Sequence, residues 1–324
     1  DPLPEILVTY DNHHINAFEP DGRSVTASSY FTNRASDYAD MPLDWGQFIR
    51  YLDPAVEEAH YNQHEGDWPG PSTHPWLQWT ASPPVAADLD GDGDNEVIGV
   101  PNVEENEPYE TIFHAVMVLE GSHGDGSRSA MRLAGWEQLP RSGAPWYREP
   151  GDWYPPSGVP SPTVANIVGD EHPEIIVPMN DGSIYAFGPD AELVWSHDYA
   201  GGVAKTYASE ATVADLNADG IPEVVFSTYS LEPDAGRLVI LSADGTLLHD
   251  VVLPNQGTNG NGIGGPAAPT LGDIDGDDTL EVLVMTFEHG LDVFNVPGSG
   301  TKCMLWPTGR GNLLRNGQGP ACRP

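Results

Sequence analysis

An acidic segment of nine residues recurs three times in this chain, and it restricts the possible folds more than any other feature of the sequence. Each copy is a short loop with oxygen-bearing side chains at positions 1, 3, 5 and 9, and the backbone carbonyl of position 7 can supply a further oxygen. Clustered carboxylates repel one another unless a cation neutralises them, and Ca²⁺ takes about six to eight oxygen ligands at about 2.3–2.6 Å. We therefore predict three calcium sites, whose ligands are Asp88, Asp90, Asp92, Asp94 and Glu96; Asp215, Asn217, Asp219, Ile221 and Glu223; and Asp273, Asp275, Asp277, Thr279 and Glu281.

A fourth copy of the segment, residues 166–174, departs from this pattern. Val168 stands at position 3, where its apolar side chain offers no oxygen to a cation. Asn166, Asp170 and Glu174 are left as candidate ligands, and we predict at most a weak fourth site there.

The residues that flank each loop exclude an EF-hand and indicate β-strands. An EF-hand has a bidentate Glu at position 12 and continues into a helix, whereas position 12 is here Gly99, Phe226 or Val284. A strand of small residues precedes each loop, and an aliphatic or β-branched run such as 282–285 follows it. Such runs are typical of strands, so each loop is predicted to join two strands.

The loops belong to a longer repeat with four short strands and no helix. The third strand of each unit is apolar, and the fourth often carries Trp, as in residues 132–136, 193–195 and 304–306. Repeated four-stranded units predict the blades of a β-propeller. Five blade units are recognisable, so we predict an all-β fold with a ring of five to seven blades in a single domain, residues 1–324. The first blade lacks its first strand, which an upstream segment or another subunit would supply.

Long insertions interrupt the repeat at residues 33–81, 101–110 and 138–160. Antiparallel strands alternate in direction, so loops between strands one and two emerge on the opposite face from loops that join strands two and three or successive blades. The calcium loops are of the first kind and the insertions are of the second. We therefore predict that the insertions share the face opposite the calcium loops.

The acidic loops and the strands around them resemble the FG-GAP/VCBS repeats of integrin-α-like β-propellers. The resemblance covers most of the chain outside the insertions and rests on residues 88–96, 215–223 and 273–281. It implies calcium at these loops and an extracellular protein that serves adhesion, glycan binding or assembly. Some polysaccharide lyases are similar too, and fold alone does not assign an activity.

Charge and cysteine content restrict the partners and the compartment. The formal net charge of −36 excludes a nucleic-acid-binding protein, because such a protein needs cations for the phosphates. No apolar run approaches the ~20 residues of a transmembrane helix. Cys303 and Cys322, the two cysteines of the chain, are predicted to form a disulfide that closes a C-terminal tail, residues 303–324. The calcium loops and this disulfide indicate an extracellular, cell-surface or periplasmic protein.

Two further groups of residues are candidate sites. Asp53-Pro54 is a helix start, and Glu57, His60 and His64 share one face of the helix predicted over residues 55–64. They are either a weak transition-metal site or a solvated helix face. Exposed aromatic residues of the insertions can bind a partner or form a small core of their own; they are Trp45, Trp68, Trp76, Trp146, Tyr147, Trp153 and Tyr154.

These observations favour a non-enzymatic, calcium-stabilised extracellular β-propeller that binds a glycan or protein partner through its aromatic insertions. The sequence contains no Gly-x-Ser-x-Gly elbow that would indicate nucleophilic catalysis. Two alternatives stay open: a polysaccharide lyase or glycoside hydrolase on the same scaffold, and a fragment or subunit of a larger surface assembly.

Overall fold

The structure is a computed structural model that divides into two compact units, Asp1–Asp88 with Asp92–Val159 and Leu89–Gly91 with Pro160–Pro324. It describes residues 4–10, 14–27, 43–45, 49, 51–60, 70, 73–79, 82–105, 111–121, 131–138, 140, 146–147, 160–170, 172–203, 205–230, 236–254, 263–287, 289–301, 303–312, 314 and 317.

The N-terminal unit contains eleven described strands and one helix: β1 (Ile6–Tyr10), β2 (His14–Phe18), β3 (Thr26–Ala27), β4 (Leu43–Asp44), α1 (Pro54–His60), β5 (Trp76–Gln78), β6 (Val85–Ala87), β7 (Glu96–Gly99), β8 (Asn102–Glu105), β9 (Thr111–His114), β10 (Met117–Leu119) and β11 (Trp146–Tyr147). Strands β1 and β2 pair as the second and third strands of the first predicted blade, and β6, β7 and β10 form the second blade. The predicted fourth strand of that blade, residues 132–136, is wrong: only an isolated bridge joins Leu119 to Arg132 there. Gly135 in the same stretch has φ of +92°, which favours a turn over a strand.

The insertions build a sheet of their own, which the repeat pattern did not predict. Its order is β11-β9-β8-β5, all antiparallel. Strand β5 comes from insertion 33–81, β8 from 101–110 and β11 from 138–160. The three insertions therefore meet in one structural element, and their position on the face opposite the calcium loops stays a prediction.

The core of the N-terminal unit joins the first two blades to the first insertion. Ile15 and Ala17 of β2 and Met117 of β10 are buried in one cluster with Trp45 and Trp79. The indole N–H of Trp79 donates to the Ile49 carbonyl oxygen at 2.8 Å, and that of Trp45 donates to the Glu120 carbonyl oxygen at 3.3 Å. A buried indole needs such partners, so both tryptophans are structural.

A histidine of β9 makes the stability of this unit depend on pH. Burial lowers the pKa of His114 from 6.5 to about 3. Between these values the unfolded chain binds a proton that the folded chain does not, so stability is lost as pH falls below about 6.5. We expect the free energy of unfolding to fall by about 2 kcal/mol more in the wild type than in His114→Gln between about pH 7 and pH 5. Urea titrations at both pH values measure this difference, and equal pH slopes in the two proteins would contradict it.

The C-terminal unit contains the remaining strands: β12 (Thr163–Ala165), β13 (Glu174–Pro178), β14 (Ser183–Phe187), β15 (Leu193–Asp198), β16 (Thr206–Ala208), β17 (Thr212–Ala214), β18 (Glu223–Ser230), β19 (Arg237–Leu241), β20 (Leu247–Val252), β21 (Ile263–Gly264), β22 (Thr270–Gly272), β23 (Leu280–Thr286), β24 (Gly290–Val296) and β25 (Met304–Trp306). Strands β12 to β15 and β17 to β20 form complete four-stranded antiparallel blades, and β22 to β24 form a three-stranded one. Two neighbouring blades share a core that includes Val225 of β18 and Val282 of β23. The predicted all-β fold class and its four-stranded blades are confirmed.

The pairing of β25 shows that the prediction for residues 304–306 is wrong. The repeat pattern predicts that this segment is the fourth, outer strand of the last blade. Instead it pairs with β17, the first strand of the preceding blade, with Trp306 opposite Val213. A buried acceptor explains the choice, because Glu210 Oε1 accepts the indole N–H of Trp306 at 3.0 Å and also the backbone N–H of Arg310.

Candidate metal centre

Position 9 of the acidic loops has the same environment in all four copies. Its glutamate is the first or second residue of the second strand of a blade and is buried in each case: Glu96, Glu174, Glu223 and Glu281. In three copies one carboxylate oxygen accepts the backbone N–H of position 2, from Ile167 at 2.7 Å, Leu216 at 2.6 Å or Ile274 at 2.9 Å. This bond closes the turn and fixes the carboxylate at the base of the loop.

Loop 273–281 brings three predicted ligands together. One carboxylate oxygen from each of Asp273, Asp275 and Glu281 lies within 4.8 Å of the other two. Glu281 is only 2% exposed, and its Oε1 accepts no hydrogen bond from any described residue. A buried carboxylate oxygen without a partner is costly, so a cation in this cluster would satisfy it.

Loop 88–96 forms a second cluster of the same type. Carboxylate oxygens of Asp88, Asp90 and Glu96 also lie within 4.8 Å of one another. Gly91 and Gly93 have φ of +79° and +96°, which other residues rarely adopt. The glycines therefore let this loop curl around its carboxylates.

Loop 215–223 has an amide in place of one carboxylate. Asn217 Nδ2 donates to Glu223 Oε1 at 3.0 Å, and its Oδ1 accepts the Asp219 backbone N–H at 2.9 Å. Burial raises the pKa of Glu223 to about 7, and the charges of Asp219 and Asp215 add to this shift. The charges of Asp215 and Asp219 thus oppose ionisation of Glu223, and a bound cation would relieve that repulsion. To coordinate such a cation, the Asn217 amide would have to rotate so that its oxygen, in place of its Nδ2, faces Glu223.

Position 5 has a role in the turn that the sequence did not predict. In each of the three loops it accepts the backbone N–H of position 7 at 2.8 Å, from Asp94 to Asp92, from Ile221 to Asp219 and from Thr279 to Asp277. The hydrogen bonds from Thr279 lower the pKa of Asp277. Positions 1, 3 and 9 therefore form the clusters, while position 5 shapes the turn; the coordination by positions 5 and 7 stays a prediction.

The fourth loop, 166–174, is closed by its own hydrogen bonds. Asn166 Oδ1 accepts the Gly169 N–H at 2.6 Å, and its Nδ2 donates to the Asp170 carbonyl oxygen. Glu174 Oε2 accepts two backbone N–H groups, from Ile167 and Val168, and burial raises its pKa. The fourth calcium site stays a prediction, and Asn166 would have to give up these bonds to coordinate an ion.

The described part of the predicted histidine helix is α1, Pro54–His60. Asp53 Oδ1 caps it by accepting the Ala55 N–H at 2.8 Å. The Glu57 carboxylate is buried and accepts the Tyr51 backbone N–H at 2.7 Å. The His60 side chain and His64 lie outside the described residues, so the transition-metal site stays a prediction. One carboxylate oxygen of Glu57 already accepts the Tyr51 N–H.

The aromatic candidates separate into three groups. Trp45 is only 2% exposed and belongs to the core, so its assignment to a binding surface is wrong. Trp76 is half-buried in the edge strand β5. Trp68, Trp153 and Tyr154 lie outside the described residues, as do the side chains of Trp146 and Tyr147 in β11.

The C-terminal cysteine Cys303 and the described helix bear on the predicted disulfide and on membrane insertion. Cys303 is half-buried and forms no disulfide with a described residue. Cys322 lies outside the described residues, so the disulfide stays a prediction. Within the part of the chain that the structure describes, no helix has the length and apolarity needed to cross a bilayer.

The clusters offer only oxygen ligands, which suit a hard cation such as Ca²⁺ better than a transition metal. The sequence prediction identified the six residues of the two carboxylate clusters. It missed the turn role of position 5 and an apolar groove between loops 166–174 and 215–223. The sequence does contain an indication of this groove: apolar residues replace polar ones at position 3 of one loop (Val168) and position 7 of another (Ile221).

Comparison with known proteins locates one repeat within the chain. No curated protein matches it significantly. Among solved structures it is similar to BamB from Moraxella catarrhalis (11% identity, 68% of this chain and 57% of that chain, TM-score 0.35), to the V. cholerae biofilm matrix protein Bap1 (11%, 92% and 77%, 0.25) and to the Dos1 propeller (8%, 91% and 75%, 0.27). The chain thus spans 57% of the BamB chain.

A family model of the FG-GAP-like repeat matches residues 215–284. The matched segment starts at the first residue of one acidic loop and includes the whole of loop 273–281. The repeat family inferred from the acidic loops is therefore confirmed, and residues 215–284 of this chain are an FG-GAP-like repeat.

Proposed function

We propose that this protein is a non-enzymatic β-propeller of the cell exterior, stabilised by calcium, that binds a glycan or a protein partner. The observation that carries the calcium part is the buried Glu281 carboxylate, which clusters with Asp273 and Asp275 and has one oxygen, Oε1, without a hydrogen-bond partner among the described residues. Calcium is millimolar outside cells, where sites of modest affinity are filled. This supports an extracellular, cell-surface or periplasmic location.

Calcium would act on structure and would not take part in a reaction. Each ion would neutralise the carboxylates at positions 1 and 9, and at position 3 in loops 88–96 and 273–281, whose mutual repulsion opposes folding. Position 9 also accepts the position 2 N–H in three of the loops. The ion would therefore tie the first strand of a blade to its second.

The insertion sheet, strands β5, β8, β9 and β11, is the proposed partner surface. It gathers segments from three insertions into one element, and loops held on a rigid scaffold are common binding sites. Trp76, half-buried in edge strand β5, can present a ring for stacking against a sugar or a partner side chain.

A glycan array and a binding screen with extracellular proteins test this surface, with Trp76→Ala and Leu247→Ala compared against the wild type. Leu247 is an exposed residue of β20 in the other unit, so its substitution controls for a general loss of apolar surface. We expect Trp76→Ala to weaken partner binding about tenfold and Leu247→Ala to leave it unchanged.

Two results would contradict the proposal. One is partner binding that Trp76→Ala and Leu247→Ala change equally. The other is turnover, seen as shortened chains when the protein is incubated with acidic polysaccharides, which would favour the lyase or hydrolase alternative.

A further inference from the structure

Positions 3 and 7 of the acidic loops are each polar in three copies and apolar in one. The two apolar exceptions lie in neighbouring blades. Position 3 is Asp90, Asn217 or Asp275 in three loops but Val168 in the fourth. Position 7 is Asp94, His172 or Thr279 in three loops but Ile221 in the loop that starts at Asp215. Both exceptions are exposed, Val168 at 54% and Ile221 at 53%. Single exposed aliphatic side chains are common on protein surfaces, so the position of these two relative to each other is what matters.

The two apolar exceptions line the same groove. This groove has a volume of about 540 Å³, within the range of ligand-binding clefts. Its walls are the loops 166–174 and 215–223 together with parts of β15 and of the turn between β19 and β20. Val194 and Pro222 complete an apolar lining around Val168 and Ile221.

One wall of the groove is held rigidly. Trp195 lies nearly buried in this wall, and its indole N–H donates to the Ala243 carbonyl oxygen at 2.8 Å. Gly245 lies so close that a Cβ there would meet the indole at 2.8 Å. The groove is therefore preformed, which lowers the entropy lost on binding.

The polar edge of the groove is acidic. Asp244 lines it, and Ser242 donates a hydrogen bond to the Asp244 carboxylate. None of the described residues that line the groove carries a positive charge. In a chain of net charge −36, such an edge attracts cations and repels acidic partners.

We infer that this groove binds an extended segment of a partner protein in which a bulky aliphatic side chain is flanked by Lys or Arg. The aliphatic side chain would fill the space between Val168 and Ile221, where burial of its apolar surface favours binding. The flanking cation would lie against the Asp244 edge. The site belongs to the C-terminal unit and includes no residue of the insertion sheet, so it is separate from the proposed function.

Fluorescence polarisation with short labelled peptides tests the inference on the full chain. The probes are Gly-Arg-Leu-Arg-Gly, Gly-Glu-Leu-Glu-Gly and Gly-Arg-Ser-Arg-Gly. The variants are Val168→Ser, Ile221→Ser and, as matched control, Ile274→Ser. Ile274 is an aliphatic residue 57% exposed on a third acidic loop, and it does not line the groove.

We expect the Arg-Leu-Arg peptide to bind the wild type and the Ile274→Ser variant equally, and the two groove variants about tenfold more weakly. We expect binding to weaken when salt is raised from about 50 to about 500 mM, because screening reduces the attraction to the acidic edge. The inference is wrong if the Arg-Leu-Arg peptide fails to bind, if Ile274→Ser weakens it as much as the groove variants, or if the Glu-Leu-Glu or Arg-Ser-Arg peptide binds as tightly.

Discussion

In excess EDTA, we expect the protein to melt several degrees below its melting temperature in about 1 mM Ca²⁺. An ion bound with a Kd of ~0.1 mM contributes about 1.4 kcal/mol at that concentration, so three sites contribute about 4 kcal/mol together. The carboxylates of Asp273, Asp275 and Glu281, held within 4.8 Å, would also repel one another once the ion is gone. Differential scanning calorimetry with and without chelator measures the shift.

The Glu281→Gln variant shows whether this shift comes from the acidic loops. Gln keeps an oxygen that can accept the Ile274 N–H, which Glu281 accepts at 2.9 Å, but it removes one charge from the cluster. We expect the variant to lose about a third of the EDTA effect, as one site of three. A wild-type melting temperature that stays the same in EDTA and in calcium would show that the loops are stable without the ion.

The largest effect of a single substitution is expected at the C-terminal strand. Trp306 is buried, its strand pairs with β17, and its indole N–H donates to the buried Glu210 at 3.0 Å. Trp306→Ala removes this packing and leaves a cavity, for which about 3–5 kcal/mol is typical. We therefore expect urea denaturation to give a free energy of unfolding lower by about that amount.

Two further variants separate packing from hydrogen bonding at this position. Trp306→Phe keeps an aromatic ring but removes the donor to Glu210, for which about 1.5–3 kcal/mol is typical when the acceptor is charged. Leu314→Ala changes a residue that is 83% exposed, so we expect a change within about 0.5 kcal/mol. If Trp306→Ala behaved like Leu314→Ala, the C-terminal strand would not be docked on β17.

The repeat and its loops could be predicted from the sequence because their signals are local. Small residues before each loop, an oxygen-bearing pattern within it and an aliphatic run after it lie within about twenty residues. Each hairpin also closes on itself, as when Glu281 reaches back seven residues to Ile274. Contacts between residues that are close in the sequence can be predicted from the local sequence pattern.

The position of β25 could not be predicted, because its pairing depends on distant residues. Met304-Leu305-Trp306 is equally suited to an outer strand of its own blade or to an inner edge of another. The choice rests on Glu210, which lies 96 residues away in the chain. The same limit applies to Trp45, whose burial depends on β2 and β10 coming together around the first insertion.

Aromatic composition was also ambiguous in the insertions. A row of Trp and Tyr side chains fits a binding surface or a small core equally well, and the structure shows core packing for Trp45 and Trp79. The pairing of β5, β8, β9 and β11 brings together residues from three separate insertions. No periodic pattern in any one of them indicates its partner strands.

Direct calcium binding tests the central claim, that cations hold the acidic loops. Equilibrium dialysis of the chelated protein against millimolar Ca²⁺ counts the bound ions, and the Glu281→Gln variant provides the matched comparison. We expect about three ions per chain in the wild type and one fewer in the variant. A wild-type protein that binds no calcium at millimolar concentration would contradict the account.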